Sequence, residues 1–278
     1  MKEKRIKHSP ILSIVSISYN QGKYIDQCIN SSRNFNVGLV QHIFVDPGSN
    51  DGSREKLVQY ADTNDDVILI FDKDSGPADG LNRGLQECTG EWVCFLNSDD
   101  FFVQSQLQKI LRLLESENRA DLVYGNGITV YDNRFEFRYI SKYSRRIFQS
   151  GTLRMFQQST FFRLGELKKH KIQFNTENKT CWDLEFILEV LNTKFRTKQI
   201  HNFVGCFRLH PESISGGVSN NVDYQNTLRR LRSEYYSKKD HKWFYLIRIL
   251  VFLDLIWMRI ISLPERRVIR DEDIDLRN

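Results

Sequence analysis

Two acidic clusters carry the chemistry this sequence can offer. The first closes the stretch Glu91 to Phe102, EWVCFLNSDDFF, where Trp92, Val93, Cys94, Phe95 and Leu96 form an apolar run that stops at Asn97-Ser98-Asp99-Asp100. Such a run predicts a strand buried on both faces of a sheet with helices on each side. In an open α/β sheet the ligand lies outside the carboxyl ends of the strands, so carboxylates placed there are positioned for chemistry. Their hard oxygens suit Mg²⁺ or Mn²⁺, an ion usually held by one or two carboxylates plus the phosphates of a substrate. The plainer alternative is a strand-to-helix connection in which Asp99 or Asp100 satisfies backbone N–H groups. The second cluster is Cys181-Trp182-Asp183-Leu184-Glu185-Phe186, opening a run with Phe186, Ile187, Val190 and Leu191 on one apolar side. Acidic residues at a helix start are favoured by the macrodipole, so capping is the alternative for Asp183.

The elements that must position these residues are legible upstream. Ile11 to Ser18 is a β-branched run after Pro10 and ends in Tyr19-Asn20-Gln21-Gly22, after which Tyr24, Cys28 and Ile29 take helical spacing. His42 to Val45 predicts a second strand, followed by the polar turn Asp46-Pro47-Gly48-Ser49-Asn50-Asp51-Gly52-Ser53, in which Ser53 is expected to cap a helix carrying Leu57 and Val58. A third strand, Val67 to Phe71, leads through Asp72-Lys73-Asp74-Ser75-Gly76-Pro77-Ala78-Asp79 to a helix with Leu81, Leu85 and Cys88, stopped at Thr89-Gly90. The chain thus alternates strand, polar turn and helix up to Glu91. That alternation predicts a parallel sheet with right-handed crossovers, which brings the polar turns with Asp46, Asp74, Asp79 and Asp99 to one edge.

The order SISYN, FVDPGSNDGS, DKDSGPADGLNRGL and GEWVCFLNSDD resembles the family 2 glycosyltransferases with the GT-A fold, inverting enzymes that use nucleotide-diphosphate sugars. One such segment is weak evidence, but four in order are specific. The resemblance implies an α/β, Rossmann-like, mostly parallel sheet flanked by helices. It also implies that Tyr19, Asn20 and Asp46 hold base and ribose, and that Asp74, Asp79 and Asn82 lie against the sugar-phosphate region. Asn97-Ser98-Asp99 stands where the family has D-x-D, which makes Asp99 the metal ligand for Mg²⁺ or Mn²⁺ and leaves Asn97 to hydrogen-bond the ribose. The missing charge at Asn97 implies a lower metal affinity, and Pro47 replaces a commoner Gly while leaving Asp46 in place.

Further along, Phe156 to Arg163 resembles the family's HQ-x-x-F-F-R segment beside the acceptor, which points to Gln158. The family places its general base at the start of the helix that Cys181 opens; Asp183 matches it, with Glu185 following on the acceptor side. Phe207-Arg208-Leu209-His210-Pro211-Glu212-Ser213-Ile214-Ser215 resembles F-R-x-H-x-x-S-x-S, making Arg208 and His210 candidates to face the diphosphate. Leu107 to Leu114 predicts a helix, and Leu122 to Val130 a strand interrupted by Gly125 and Gly127. Residues 131 to 150, with Arg134, Arg138, Lys142, Arg145 and Arg146, read as a solvated hairpin or as a mobile acceptor-side loop.

The whole chain sets wide bounds. With 278 residues, 40% hydrophobic and 27% charged, it is long enough for a substantial core. A net charge of +5 suits anionic partners, and no nucleic-acid partner is expected. Cys28, Cys88, Cys94, Cys181 and Cys206 show no paired or zinc-type spacing, which with the absence of a signal-peptide pattern reads as a cytoplasmic protein with free thiols. The catalytic domain is expected over 1–216, as a nucleotide-sugar half 1–102 and an acceptor half 103–216, with Gly216-Gly217 as the boundary.

The remainder, 217–278, reads as a helical extension. Arg229, Arg230, Arg232, Lys238, Lys239 and Lys242 precede Trp243 to Leu263, whose Arg248, Asp254 and Arg259 are expensive at a bilayer centre. Peripheral contact with the inner face of the cell membrane through 222–263, packing on the catalytic domain and homodimerisation all remain open, and residues 264 to 278 look frayed. The expected activity is transfer of a sugar from a nucleotide-diphosphate sugar to a saccharide or lipid-linked saccharide acceptor in surface polysaccharide or glycolipid synthesis. The rival readings are a sugar nucleotidyltransferase and a non-catalytic sugar-nucleotide-binding scaffold.

Overall fold

The computed structural model describes residues 9–33, 39–144, 147–148, 150, 153–211, 213, 222–235, 244–269 and 274. Its centre is β1 (Leu12–Ile17), which pairs in parallel with β2 (Val40–Val45) on one side and with β4 (Trp92–Phe95) on the other, Leu12 standing opposite both Val40 and Trp92. β3 (Val67–Ile70) extends β2, again in parallel. The crossovers are α1 (Ile25–Ser32), α2 (Ser53–Asp62) and α3 (Pro77–Gln86). The expected strand, turn and helix alternation is therefore met element by element.

Ser53 does not cap α2 as expected. Gly52, with φ of +90°, precedes the helix in the left-handed region, and Ser53 is already its first residue. The Ser53 hydroxyl instead accepts the Gln21 N–H at 3.1 Å, linking two turns.

Beyond β4 the sheet becomes mixed. It contains β5 (Phe101–Phe102), β6 (Leu122–Val130), β7 (Phe135–Arg138), β8 (Thr160–Arg163) and β9 (Thr197–Arg208), in the overall order β3-β2-β1-β4-β8-β6-β9-β5 with β7 paired to β6. β8 is antiparallel to both β4 and β6, whereas β9 runs parallel to β6. The helices of this half are α4 (Gln104–Ser116), α5 (Leu164–His170) and α6 (Trp182–Asn192), and the C-terminal ones are α7 (Val222–Tyr235), α8 (Phe244–Ile261) and α9 (Leu263–Val268).

Strand residues alternate between two cores, one on each face of the sheet. Val15, Val45, Phe95 and Phe162 enter the core that α3 and α6 cover with Leu81 and Phe186. Their neighbours Ile14, Phe44, Cys94 and Phe161 enter the other, covered by α1 and α4 with Cys28 and Leu107. Removing each such side chain from water is worth about 1.5–3 kcal/mol, which fixes the strand register because a one-residue slip exchanges the two sets. The five cysteines are free and buried.

Two expectations are corrected here. Gly125 and Gly127 do not interrupt β6, which is one nine-residue strand with register shifts around Asn126. A Cβ on Gly127 would lie 2.2 Å from the Phe156 ring, so the glycine lets that ring pack flat against the strand. Segment 131–144 is only partly solvated: β7 pairs with β6, and Ile140 and Tyr143 are buried, the Tyr143 ring stacked on Tyr124 at 3.8 Å between centroids. Arg145 and Arg146, the Gly216-Gly217 boundary, the Lys238-Lys239-Lys242 lead-in and the segment 270–273 lie outside the described residues.

Candidate functional site

The first two polar turns are laced together by their own side chains. Asn20 has φ of +53°, a left-handed geometry that Asn tolerates better than most residues. Its N–H donates to Ser49 Oγ at 2.8 Å, and its Oδ1 accepts the Asn50 N–H at 3.1 Å. Asp46 is fully buried and accepts from the Gly48 and Ser49 N–H groups, the Ser49 hydroxyl and Arg54 Nε, all within 2.9 Å. Burial raises its pKa, but these donors outweigh that and hold it below the usual carboxylate value. Asp46 thus shapes the turn that presents Pro47, while Tyr19 stands 61% exposed at the mouth of the site.

In the third turn, Asp74 Oδ1 accepts the Gly76 N–H at 3.0 Å, and burial raises its pKa. Asp79 Oδ2 accepts the Ser75 N–H at 2.9 Å and meets Arg83 at 3.4 Å. Asn82 makes two 2.8 Å bonds to the Phe174 backbone, pinning the segment after α5 to α3.

The fourth turn separates its two carboxylates. Asp100 is buried, accepting the Arg208 N–H at 2.8 Å and Gln158 Nε2 at 2.6 Å. Burial, followed by the adjacent Asp99 charge, pushes its pKa well up, while those donors oppose the shift. Asp99 instead turns to the cleft, with Oδ2 3.1 Å from His210 Nε2. Arg208 Nε donates to the Asp99 carbonyl at 3.1 Å, and its guanidinium lies over Tyr24 and Phe101. Asn97 Oδ1, Ser98 Oγ and His210 Nδ1 are buried without a hydrogen-bond partner among the described residues.

These turns form one wall of a cleft of about 1560 Å³. Tyr19, Pro47, Asp74, Asn97 and Asp99 line that wall. Across it stand Gln158, Asp183 and, from α7, Tyr224 and Gln225. Asp183 lies in the first turn of α6, where Oδ1 accepts the Leu184 N–H at 2.8 Å, and burial raises its pKa. Of the residues singled out in the sequence, the structure therefore brings Tyr19, Asp74, Asn97, Asp99, Gln158 and Asp183 to the cleft.

Others stand behind it. Asn20, Asp46, Asp79 and Asn82 hold turns, Ser98 is buried, and Arg208 and His210 back Asp99. Glu185 lies away from the cleft lining, held by Arg230 Nη2 at 2.8 Å, Asn178 Nδ2 at 2.6 Å and Asn175 Nδ2 at 3.1 Å. Sequence reasoning missed Lys73 and Arg154, two exposed cations that line the cleft and have no ion-pair partner among the described residues. Lys73 sits inside the acidic third turn, where its charge reads as ordinary solvation.

The glycosyl transferase family 2 model matches residues 13–176, more than half of the chain. The chain belongs to that family. Among curated relatives of this family 2 chain, an uncharacterised glycosyltransferase of Haemophilus influenzae is 34% identical over 42% of this chain, which spans 47% of the relative's length. A PGL/p-HBAD biosynthesis glycosyltransferase of Mycobacterium bovis is 26% identical over 80% of this chain and 84% of its own. Among solved structures, S. aureus TarS 1–349 in complex with UDP-GlcNAc has a TM-score of 0.65 at 20% identity, covering 81% of this chain and 66% of that chain. The mannosyltransferase PcManGT of Pyrobaculum calidifontis, in complex with GDP-Man and Mn²⁺, has a TM-score of 0.56 at 16% identity, covering 75% and 60%. These likenesses give the family 2 chain the GT-A fold.

Proposed function

We propose that this glycosyltransferase moves a sugar from a nucleotide-diphosphate sugar to a hydroxyl acceptor with inversion at the anomeric carbon. The observation that carries the reading is that Asp99 and Asp183 reach one cleft from opposite halves of the chain. One carboxylate serves the leaving group and the other the nucleophile. Asp183 takes the proton of the acceptor hydroxyl, a task for which a carboxylate with a raised pKa is the better base. Tyr19 offers a face for the nucleotide base, and Lys73 and Arg154 place positive charge for the diphosphate.

The residues around Asp99 fit a hard divalent cation. Asp99 offers its carboxylate to the cleft, steadied from behind by His210 Nε2, and the unpartnered Asn97 Oδ1 belongs to a second residue of the same lining. One or two protein donors with substrate phosphates completing the set match the usual Mg²⁺ or Mn²⁺ pattern. When bound there, such an ion would supply charge neutralisation for the departing nucleoside diphosphate. The remaining chemistry belongs to the chain: Asp74 and the laced turns orient the donor, and the 3₁₀ turn Gln157–Ser159 aligns the opposite wall.

The acceptor in this reading is a saccharide or lipid-linked saccharide, met at the cytoplasmic side during surface polysaccharide or glycolipid synthesis. The nucleotide sugars in the TarS and PcManGT complexes and the biosynthetic name of the mycobacterial relative support that direction. The catalytic unit is proposed as 1–216, with 217–278 as its extension. The test is thermal shift with UDP-, GDP-, dTDP- and CMP-sugars, each with Mn²⁺ and with chelator, followed by product analysis. A Mn²⁺-dependent shift with one nucleotide and release of its nucleoside diphosphate is expected. Pyrophosphate release would identify a nucleotidyltransferase, and binding without turnover on any acceptor a scaffold.

A further inference from the structure

The tail helix α8 leaves an apolar surface that none of the described residues covers. Its inner side is set by Val251 and Met258, both buried, and by two polar ties. Asp254 Oδ2 accepts the Lys142 N–H at 3.2 Å, and Asn126 Nδ2 donates to Ser262 Oγ at 2.9 Å just beyond the helix end. With the helix fastened this way, Ile249, Phe252, Leu253, Ile256, Trp257 and Ile260 point outward, each more than 40% exposed. At 100° per residue, the outward arc that holds only apolar side chains spans roughly 160° and runs for about 27 Å.

The exposed charges around this face are cationic. Between Phe244 and Ile269 the acidic residues are Asp254 and Glu265, and both are engaged on the inner side, Asp254 with Lys142 N–H and Glu265 with Lys109 Nζ at 2.7 Å. The cations are Arg248, Arg259, Arg266 and Arg267, all exposed, with the Arg266 guanidinium lying over the Phe137 ring. Arg248 and Arg259 fall along one margin of the apolar arc. No described helix is long and apolar enough to cross a membrane, so this face cannot be read as one side of a span.

We propose that α8 lies along an anionic lipid surface, its outward face in the acyl boundary and Arg259 and Arg267 on the headgroups. An apolar arc with arginines along one margin is complementary to an anionic bilayer, which attracts such charges. A second copy of the helix covers only a narrow seam, so pairing leaves much of an arc this wide in water. A lipid surface covers the whole arc at once. Through Asp254, the same helix is fastened to the segment that follows Arg138, Tyr139 and Ile140 on the cleft wall.

The test is flotation of the full chain with phosphatidylcholine vesicles, with and without phosphatidylglycerol. Binding to the anionic vesicles at least about ten-fold above the neutral ones is expected. The double variant I249E/L253E should lose that binding, and R259E/R267E should lose the preference for anionic lipid. Nucleotide-sugar thermal shift in both variants reports whether the cleft is folded. Equal partition into both vesicle types would overturn the proposal. So would absence of partition in a chain that light scattering shows as a dimer and I249E/L253E renders monomeric; that result would assign the face to a second copy. Failure of nucleotide binding in the wild-type chain would instead strike the transferase reading.

Discussion

His210 Nε2 lies 3.1 Å from Asp99 Oδ2, and the imidazole rests against the Tyr24 ring at 4.6 Å between centroids. The pairing of β5 with β9 creates this meeting: Phe101 stands opposite Cys206 in an antiparallel ladder, so the residues just before one strand face those just after the other. A hydrogen bond to a charged group is worth roughly 1.5–3 kcal/mol, equivalent to ten-fold or more in binding. His210→Ala should therefore weaken Mn²⁺-dependent donor binding by about ten-fold, with little change in chelator. Calorimetric titration under both conditions checks it; an equal loss with and without Mn²⁺ would assign His210 to packing alone.

Asp183→Asn should lower turnover by about 10²–10⁴-fold while leaving the donor dissociation constant unchanged, since the amide keeps the shape but takes no proton. The sign of the pH dependence follows from burial. Desolvation raises the Asp183 pKa, and the base works only when ionised, so activity is lost as pH falls through that raised value. The acid limb of kcat should lie above the range of an ordinary aspartate, and should vanish from the residual rate of the variant. An unchanged turnover in Asp183→Asn would remove Asp183 from the base role.

Gly205→Ala tests the opposite wall. A Cβ there would lie 2.3 Å from Gln158 Cβ and 2.6 Å from its carbonyl, with backbone that cannot swing aside. Overpacking of this kind costs about 1–3 kcal/mol. Urea denaturation should show that loss, and activity should fall further than stability accounts for, because Gln158 is displaced from Asp100.

Arg230→Ala should loosen α7. Arg230 pairs with Glu185 at 2.8 Å and with Glu234 at 3.0 Å, joining α7 to the start of α6. Its guanidinium is partly exposed, so the stability loss should be about 1 kcal/mol or less. Limited proteolysis should nevertheless cut within α7 sooner, because Leu231 and few other side chains bury that helix. Unchanged protection would mean the apolar contacts alone hold it.

Period and turn chemistry made the first half of the chain legible. The β-branched runs at Leu12–Ile17, Val40–Val45 and Val67–Ile70 are locally unambiguous, and each ends where a Gly, Asn or Asp turn demands it. Ser53 misled because the Asp51 and Gln21 neighbours compete for its hydroxyl, a preference invisible without the fold. Gly127 misled in the other direction: a glycine in a strand reads as a break, whereas here it marks where Phe156 presses against the sheet.

The candidate site divides along the same line. Residue type and order alone determined that acidic turns gather at the strand ends, since parallel crossovers leave no other place for them, and that Asp183 opens a helix. Tertiary structure decided which carboxylate reaches the cleft. Asp99 and Asp100 are adjacent and identical in type, yet one turns to the cleft beside His210 while the other is sealed under Arg208 and Gln158. That distinction depends on pairing between β5 and β9 and on the placing of the Gln157–Ser159 turn, contacts between residues 58 to 111 positions apart. Sequence periodicity reports only neighbours within a turn or a strand. The long-range packing that buries Asp100 and turns Asp99 to the cleft exists only once the chain has closed on itself.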